Sequence, residues 1–448
     1  MKGQCLTRCL ALINNVKFTS LELVEVTNGT LVGGDAVAYK ISTNSKEKSS
    51  DGHCFFAIKG EKFDGADYIE EAISNGAKIV VTQDKKRYPV SVIYVNDTVK
   101  SLGLVARRQA KNLRVIGVTG SYGKTSVKDM IISVLSEKYR ICGTEKNHNN
   151  EIGVPLTLLS AQNVDFCVVE MGMRALGEIE WLAYLSEPEL SVITSCGTAH
   201  IERLGSIGNV FKAKTEILKY TKKACVLPCE KGFIEFDVGE LNKILVGEGG
   251  NCFCEGIRRK EGQINFQING QELTINSIYE HNAKNAVFAY AVGKYYGLSD
   301  SEIREGLKKW KPSENRGEIF YYKGVTVIND CYNASYESMI SAISSLPALV
   351  NGNCRIAVLL GDMLELGKDA ERLHKCVGAC CKEQKVDMLF ATGKYAKHYL
   401  NGYDGGTELQ YDEIKDTVFN VLEPGDVLLV KASHAMNFEK ITNDLREK

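Results

Sequence analysis

RVIGVTGSYGKTSVKDMIISVLSEKY, residues 114–139, decides how the rest of the chain is read. Its first residues form a short apolar run of the kind that makes a buried strand, and SYGKT turns that run into a helix with apolar positions at helical spacing. A strand, a glycine-rich turn and a helix in that order put backbone N–H groups and a helix N-terminus around one point, which suits phosphate oxygens. Lys124 then neutralises terminal phosphates, and the Thr125 hydroxyl is placed to meet magnesium. The spacing departs from the common phosphate-loop form, because Val118 stands five residues before Gly123 where that form has glycine.

Working outward, FCVVEM (166–171) and LSVITS (190–195) are further strand candidates, and the alternation of strands with helices predicts a parallel sheet with crossover helices. Between residues 222 and 278, KILVGE, QINFQI and ELTI alternate polar with β-branched residues and read as antiparallel strands added to the same domain; HNAKNAVFAYAVGKYYG (281–297) follows as a helix. The polar segment KKWKPSENRGE (308–318) marks a boundary. Beyond it VTVIND, RIAVLLGD, DMLFATG and DVLLVKAS read as strands of an open, doubly wound α/β unit. Upstream, CFFAI, KIVVT and VSVIYV surround the helical pattern DYIEEAISNGA, in which Gly76 serves as C-cap, so residues 20–110 read as a small α/β domain.

A chain of 448 residues exceeds one core, and at roughly 150 residues per domain about three are expected. The divisions fall at 1–111, 112–313 and 314–448. Fifty-five basic against fifty-six acidic side chains leave a formal charge of -1, which supplies no field for nucleic acid or an anionic membrane. The fifteen cysteines contain no C-x-x-C pair and read as free thiols. The amino-terminal MKGQCLTRCLALINNVKF is interrupted by Arg8 and lacks a leader pattern, and no run reaches the ~20 apolar residues of a membrane span. A cytoplasmic protein without membrane insertion is expected.

Three further residues are ambiguous on local pattern. Glu170, ending the run FCVVE, is read equally as a magnesium ligand at the carboxyl end of a strand and as a solvated strand end. His200 reads as a turn residue or a helix cap. Lys214, in KAKTEIL, reads as an exposed helix lysine.

The motifs GVTGSYGKTS (117–126), NHNNEIGVPLTLL (147–159), HNAKNAVFA (281–289), NDCYNASYESM (329–339), LLGDMLELG (359–367) and VLLVKASHAMNFEKI (427–441) together resemble the Mur ligase family, within it the branch that handles D-alanyl-D-alanine. The resemblance implies three α/β domains: a small N-terminal one for a uridine nucleotide, a central P-loop ATPase-like one with a parallel sheet, and a C-terminal Rossmann-like one. It implies ATP-dependent amide ligation, with UDP-linked muramoyl peptide and D-alanyl-D-alanine as substrates, ATP and Mg2+ as cofactors, and a monomeric enzyme. Other Mur-type or folylpolyglutamate-like ligases, and a nucleotide-dependent interaction module without turnover, are the alternatives.

Roles follow residue by residue from the same resemblance. Lys124, Glu170, His200 and Lys214 would be catalytic, and Thr125, Glu170, His200 and Lys214 would serve metal, Lys214 as a carbamate. Gly117, Thr119, Gly120, Ser121, Gly123, Thr125, Asn282, Asn285, Arg316, Asp330 and Tyr332 would hold the nucleotide. Thr43, Ser45, Asp64, Gly65, Asn149 and Asn150 would hold the uridine-linked precursor. The chain departs from the family at Asn44-Ser45-Lys46 (usually Asp-Ser-Arg), Lys146 (glycine), Ser195 (asparagine), Ser335-Tyr336 (Asn-Pro) and Ala432-Ser433-His434 (Gly-Ser-Arg). Lysine at position 46 loses the bidentate geometry of arginine.

Overall fold

A computed structural model describes residues 17–60, 63–197, 201–260, 262–349 and 354–446; the amino-terminal stretch 1–16 read above and His200 lie outside the described residues. The first sheet consists of β1 (Thr30–Val32), β2 (Ile41–Ser42), β3 (His53–Phe56), β4 (Ala77–Thr82) and β5 (Ser91–Tyr94) in the order β1-β5-β4-β3-β2, parallel except at the β1–β5 edge. Every residue of β3 is buried, as expected of a strand covered on both faces. Helix α1 (Thr98–Gln109) starts on the Asp97 carboxylate, which accepts from Lys100 N at 2.9 Å. Its Leu102, Val105 and Ala106 join Val154, Leu158 and Leu182 in one core, so the apolar interior runs unbroken from the first sheet into the second. A Cβ on Gly103 would lie 2.9 Å from Leu185 Cδ1, which is how closely α1 is seated.

The second sheet has six parallel strands: β6 (Val115–Thr119), β7 (Ile141–Gly143), β8 (Phe166–Glu170), β9 (Leu190–Ile193), β10 (Ala224–Pro228) and β11 (Asn242–Val246), ordered β11-β10-β9-β6-β8-β7. β6 lies between β9 and β8, and a crevice opens beyond the carboxyl end of such a strand. Helix α2 (Lys124–Leu135) leaves that end and buries Val127, Met130, Ile131 and Val134, a 3–4 spacing that forms one apolar face. Helices α3 (Gly153–Ser160), α4 (Glu178–Ser186) and α5 (Ile207–Thr215) follow.

One expectation is corrected here. KILVGE forms β11, which pairs in parallel with β10 as the edge of the main sheet. Its polar alternation comes from half-exposure at an edge, and residues 229–241 are long enough for the crossover that parallel pairing requires. QINFQI and ELTI are antiparallel as expected, within a separate three-stranded sheet of β12 (Cys254–Lys260), β13 (Gln263–Ile268) and β14 (Gln271–Ile275). Ile264, Phe266 and Ile268 turn inward onto the core shared with α6 (Glu280–Tyr295).

The third sheet contains β15 (Glu318–Tyr322), β16 (Val325–Asn329), β17 (Ile356–Leu360), β18 (Met388–Ala391), β19 (Thr407–Glu408) and β20 (Val427–Lys431), ordered β15-β16-β20-β17-β18-β19. Only the β15–β16 pairing is antiparallel, closed by the two-residue turn Lys323-Gly324 with φ of 47° and 82°. Two positive φ values match the twist of a tight hairpin. Helices α7 (Tyr336–Ser345), α8 (Ala370–Glu383) and α9 (Ala396–Tyr403) cover this sheet. The chain is therefore an α/β protein with three successive sheet-centred units. Apart from Cys167, the described cysteines are free, and among the described residues no helix is long and apolar enough to cross a membrane.

Candidate active site

The carboxyl ends of β6, β8 and β9 meet around the glycine-rich loop. Gly120 has φ 153°, and a Cβ there would lie 2.1 Å from Thr194 Oγ1, so no larger residue fits. Ser121 N donates to Ser195 O at 3.1 Å, Tyr122 N donates to Ser195 Oγ at 2.9 Å, and that hydroxyl donates to Tyr122 O at 2.9 Å. Gly197 N donates to Ser121 Oγ at 2.9 Å. Ser195, one of the departures, thus staples the loop through a single hydroxyl. Gly123 has φ 80° and opens α2, with Asn285 Oδ1 3.0 Å from where its Cβ would be. Two of the expected loop residues face inward instead: a Cβ on Gly117 would meet Ile217 and Pro188, and Thr119 Oγ1 donates to Met171 O at 2.9 Å.

Lys124 curls back over the loop, Nζ donating to Gly120 O at 2.7 Å and Ser121 O at 3.3 Å. Burial lowers its pKa; Glu170 opposes that and the Arg316 charge adds to it. Thr125 Oγ1 donates to Glu170 Oε2 at 2.8 Å, Asn149 Nδ2 donates to Oε1 at 2.8 Å, and Glu170 N donates to Thr144 Oγ1 at 2.9 Å. Glu170 is 2% exposed, which overturns the solvated-end reading. Asn149, expected on the precursor side, has its amide on this carboxylate.

Lys214 is fully buried on α5, which overturns the exposed-lysine reading. Its Nζ has no hydrogen-bond partner among the described residues. Burial pushes its pKa well below the ordinary 10.5, and the Lys124 charge pushes the same way, against Cys196, Glu216 and Glu170. Glu216 itself accepts from Gly177 N at 2.8 Å and Glu180 N at 3.2 Å, holding the start of α4. Among the described residues there is no cluster of three His, Cys, Asp or Glu able to hold a metal. The Thr125 hydroxyl and Glu170 carboxylate are nevertheless hard oxygen donors of the kind magnesium takes, and the orphaned Lys214 amine lies within electrostatic reach of them.

On the other side of the loop, Asn282 is buried, donating to Ser277 Oγ at 2.9 Å and accepting from Asn285 Nδ2 at 3.2 Å. From the third sheet, the Arg316 guanidinium lies 3.9 Å over the Tyr332 ring. Burial raises the Tyr332 pKa, Arg316 opposing and Glu170 adding to the rise. Asp330 follows β16 and is paired with Lys431 Nζ at 2.6 Å; burial raises its pKa against the pull of Lys431. The Tyr279 hydroxyl faces this carboxylate without hydrogen-bond geometry. Lys431 has no site role in the sequence analysis, where it stands only within VLLVKASHAMNFEKI, although a lysine ending the apolar run VLLVK is a visible signal.

The precursor-side residues stand mainly on the first sheet. Thr43 and Ser45 follow β2, with the Ser45 hydroxyl on Glu71 and Ser45 O accepting from Asn75 Nδ2 at 2.9 Å. Asp64 caps the turn Gly65–Tyr68, accepting from Ala66 N at 3.0 Å, and Gly65 leaves no room for a Cβ, which would lie 2.6 Å from Ile58 N. Asn150 Oδ1 accepts from Gly153 N at 2.9 Å and so starts α3. Three other departures also gain a physical reading. Lys146 has φ 49°, a conformation that favours the glycine it replaces. Ser335 caps α7, accepting from Ser338 N at 3.3 Å, as asparagine would. His434 tilts toward Tyr332, ring centroids 5.8 Å apart.

Three family models match the chain: Mur ligase family, catalytic domain, over residues 39–120; Mur ligase middle domain over 118–293; and Mur ligase, glutamate ligase domain, over 315–434. A Bacillus subtilis protein named UDP-N-acetylmuramoyl-tripeptide–D-alanyl-D-alanine ligase is 36% identical, the alignment covering 96% of this chain and 99% of that protein. A Haemophilus influenzae protein of the same name is 30% identical over 97% of this chain and 99% of its own length. A crystal structure of MurF from Acinetobacter baumannii superposes with TM-score 0.89 at 27% identity, covering 97% of this chain and all (100%) of that one. The MurF ligase of Thermotoga maritima, solved in complex with ADP, superposes with TM-score 0.81 at 26% identity, covering 91% and 97%.

Proposed function

The chain belongs to the Mur ligase family, and from that premise we propose that it is an ATP-dependent, ADP-forming ligase that joins D-alanyl-D-alanine to UDP-N-acetylmuramoyl-tripeptide in peptidoglycan precursor synthesis. The observation that carries this choice of acid and amine is the end-to-end likeness, at 36% identity, to a relative bearing that name. The loop cluster supports the chemistry. A carboxylate is a poor electrophile, so its oxygen attacks the γ-phosphorus of ATP, the bond to the ADP oxygen breaks, and ADP leaves with the electron pair. The neutral amine of the dipeptide then attacks the acyl carbon, the bond to phosphate breaks, and amide, inorganic phosphate and one proton result.

The residues present suit that sequence. The loop N–H groups, Lys124 and Arg316 neutralise the phosphates; Asn282, Asn285, Asp330 and Tyr332 line the nucleotide; Gly117 and Thr119 hold the loop's strand in register. Thr125, Glu170, His200 and a carbamylated Lys214 would hold magnesium, which when bound supplies charge neutralisation between the two anions that must meet. Carbamylation joins a neutral amine to carbon dioxide with loss of one proton, and burial pushes the Lys214 pKa down, toward that neutral form. Thr43, Ser45, Asp64, Gly65 and Asn150 would bind the uridine-linked precursor, with Asn149 bridging to Glu170. The units divide at 1–111, 112–313 and 314–448, and the enzyme acts as a cytoplasmic monomer.

Incubation with ATP, magnesium, D-alanyl-D-alanine and UDP-linked muramoyl tripeptides should yield a product whose mass is the sum of acid and dipeptide less one water. ADP release that ignores the dipeptide would overturn the assignment. Lys124→Ala should cut ADP formation by at least about a hundredfold, the scale of one lost transition-state contact, with the fold intact.

A further inference from the structure

We propose that Asn315 is a positioning residue for Arg316, its left-handed backbone and buried amide together aiming the guanidinium at the phosphate loop. The proposal rests on the reading of Arg316 as a nucleotide contact. Asn315 has φ 60° and is 7% exposed, an uncommon place for a polar side chain outside a tight turn. Its Oδ1 accepts from Asn329 Nδ2 at 2.6 Å, and its main-chain oxygen accepts from Tyr332 N at 3.1 Å. On the far side of Arg316, Gly317 N donates to Asn329 O at 2.9 Å. The chain is therefore fastened to the end of β16 immediately before and immediately after Arg316.

The same turn is held from the central unit. Arg316 N donates to Ser313 O at 3.2 Å, and Ser313 Oγ donates to Asp129 Oδ2 at 2.5 Å on the helix that follows the loop. Gly317, at φ 76°, lies against the Tyr279 ring, 2.3 Å from where its Cβ would stand. Between these fixed points the Arg316 side chain crosses the Tyr332 ring at 3.9 Å, and its charge is felt at Lys124. An ordinary L residue at position 315 would relax toward negative φ and rotate Arg316 away. Asparagine is among the few side chains that occupy the left-handed region readily, and here its amide also closes a buried hydrogen bond.

The test uses the full-length protein, initial rates with varied ATP, and thermal unfolding. Asn315→Asp keeps an acceptor and tolerates the backbone, Asn315→Gly keeps only the backbone, and Asn315→Val keeps neither. KM for ATP should rise in that order, to about tenfold for Asn315→Val, the fold-change matching the left-handed cost of a side chain. KM for the dipeptide should stay put. Arg316→Ala is the reference, and Asn315→Val in the Arg316→Ala background should add almost nothing, because two changes acting through one side chain are not additive. Should Asn315→Val fail to fold, the Asn315→Gly pair with and without Arg316→Ala carries the same comparison. A flat KM series with lowered melting temperatures, or full additivity with Arg316→Ala, would overturn the positioning role alone. If Arg316→Ala itself leaves KM for ATP unchanged, the nucleotide role of Arg316 falls, and the positioning role with it.

Discussion

Lys214 in the central unit and Lys431 in the third are both removed from solvent, at 0% and 2% exposure, yet their surroundings are opposite. Lys431 lies 2.6 Å from the Asp330 carboxylate and also donates to Asn333 O at 3.1 Å. Lys214 has no partner among the described residues. A buried cation is tolerated only when paired, since an isolated one costs several kcal/mol even after relaxation. The third unit therefore keeps a charge and uses it to tie two strand ends together, while the central unit buries an amine whose pKa is pushed down and which has no hydrogen-bond partner among the described residues. Burial alone would have assigned both lysines one role; a carboxylate within hydrogen-bond distance, present at Lys431 and not at Lys214 among the described residues, separates them.

That contrast breaks first at activity. Lys214→Ala should lower turnover about a thousandfold while the protein stays folded, by analogy with loss of a transition-state electrostatic group. A small carboxylic acid in excess should restore part of it, and ADP release is the readout; full activity without the additive would remove Lys214 from the reaction. Lys431→Ala should instead act on stability, by about 3–5 kcal/mol in denaturant unfolding, because Asp330 is left buried without its cation. A loss below about 1 kcal/mol would rank the pair with solvent-exposed ones.

The pH dependence sharpens the same contrast. The folded pKa of Lys214 is depressed from 10.5, so between the two values the unfolded chain holds the extra proton and stability rises with pH. Lys214→Met lacks this term. In metal-free buffer purged of carbon dioxide, Lys214→Met should be more stable than wild type at neutral pH, and the gap should shrink by up to about 1.4 kcal/mol per pH unit inside that window. A pH-independent gap would mean that Lys214 is charged in the folded protein. The smallest effect belongs to a third lysine: Lys146→Gly should add about 1 kcal/mol to unfolding stability by relieving the left-handed φ of 49°.

Local features were the legible ones. Gly120 and Gly123 announce a turn through conformations only glycine takes easily, and the apolar runs that became β16, β17, β18 and β20 needed no partner to be recognised. The substitution of Ser335-Tyr336 for Asn-Pro, a worrying departure in sequence, leaves the helix cap in place. What could not be read was whatever tertiary contact creates. Lys214 and Glu170 are single polar residues in ordinary helix and strand patterns, and only the convergence of β6, β8 and the segment after β9 closes water away from them. β11 misled because exposure at an edge imitates antiparallel alternation. Asn315 stands before an arginine and a glycine in a polar segment, and its hold on Asn329 spans a hairpin that sequence spacing does not display.

The unbroken core beneath α1 has a mechanical consequence. Leu102, Val105 and Ala106 share an apolar core with the helices of the second sheet, and Gly103 brings α1 against Leu185, with Arg107 bonded to Glu187 and Tyr184 O at the margin. Across to the third body there are polar contacts, His281 with Ser341, Arg259 with Ser345 and Arg203 with Glu365, which water can replace one at a time, beside the apolar contacts of Ile278 and Tyr279. A shear between the first two sheets would therefore have to open apolar contact along the length of α1, and one between the second and third would have to open the apolar contacts of Ile278 and Tyr279 as well as these polar bonds.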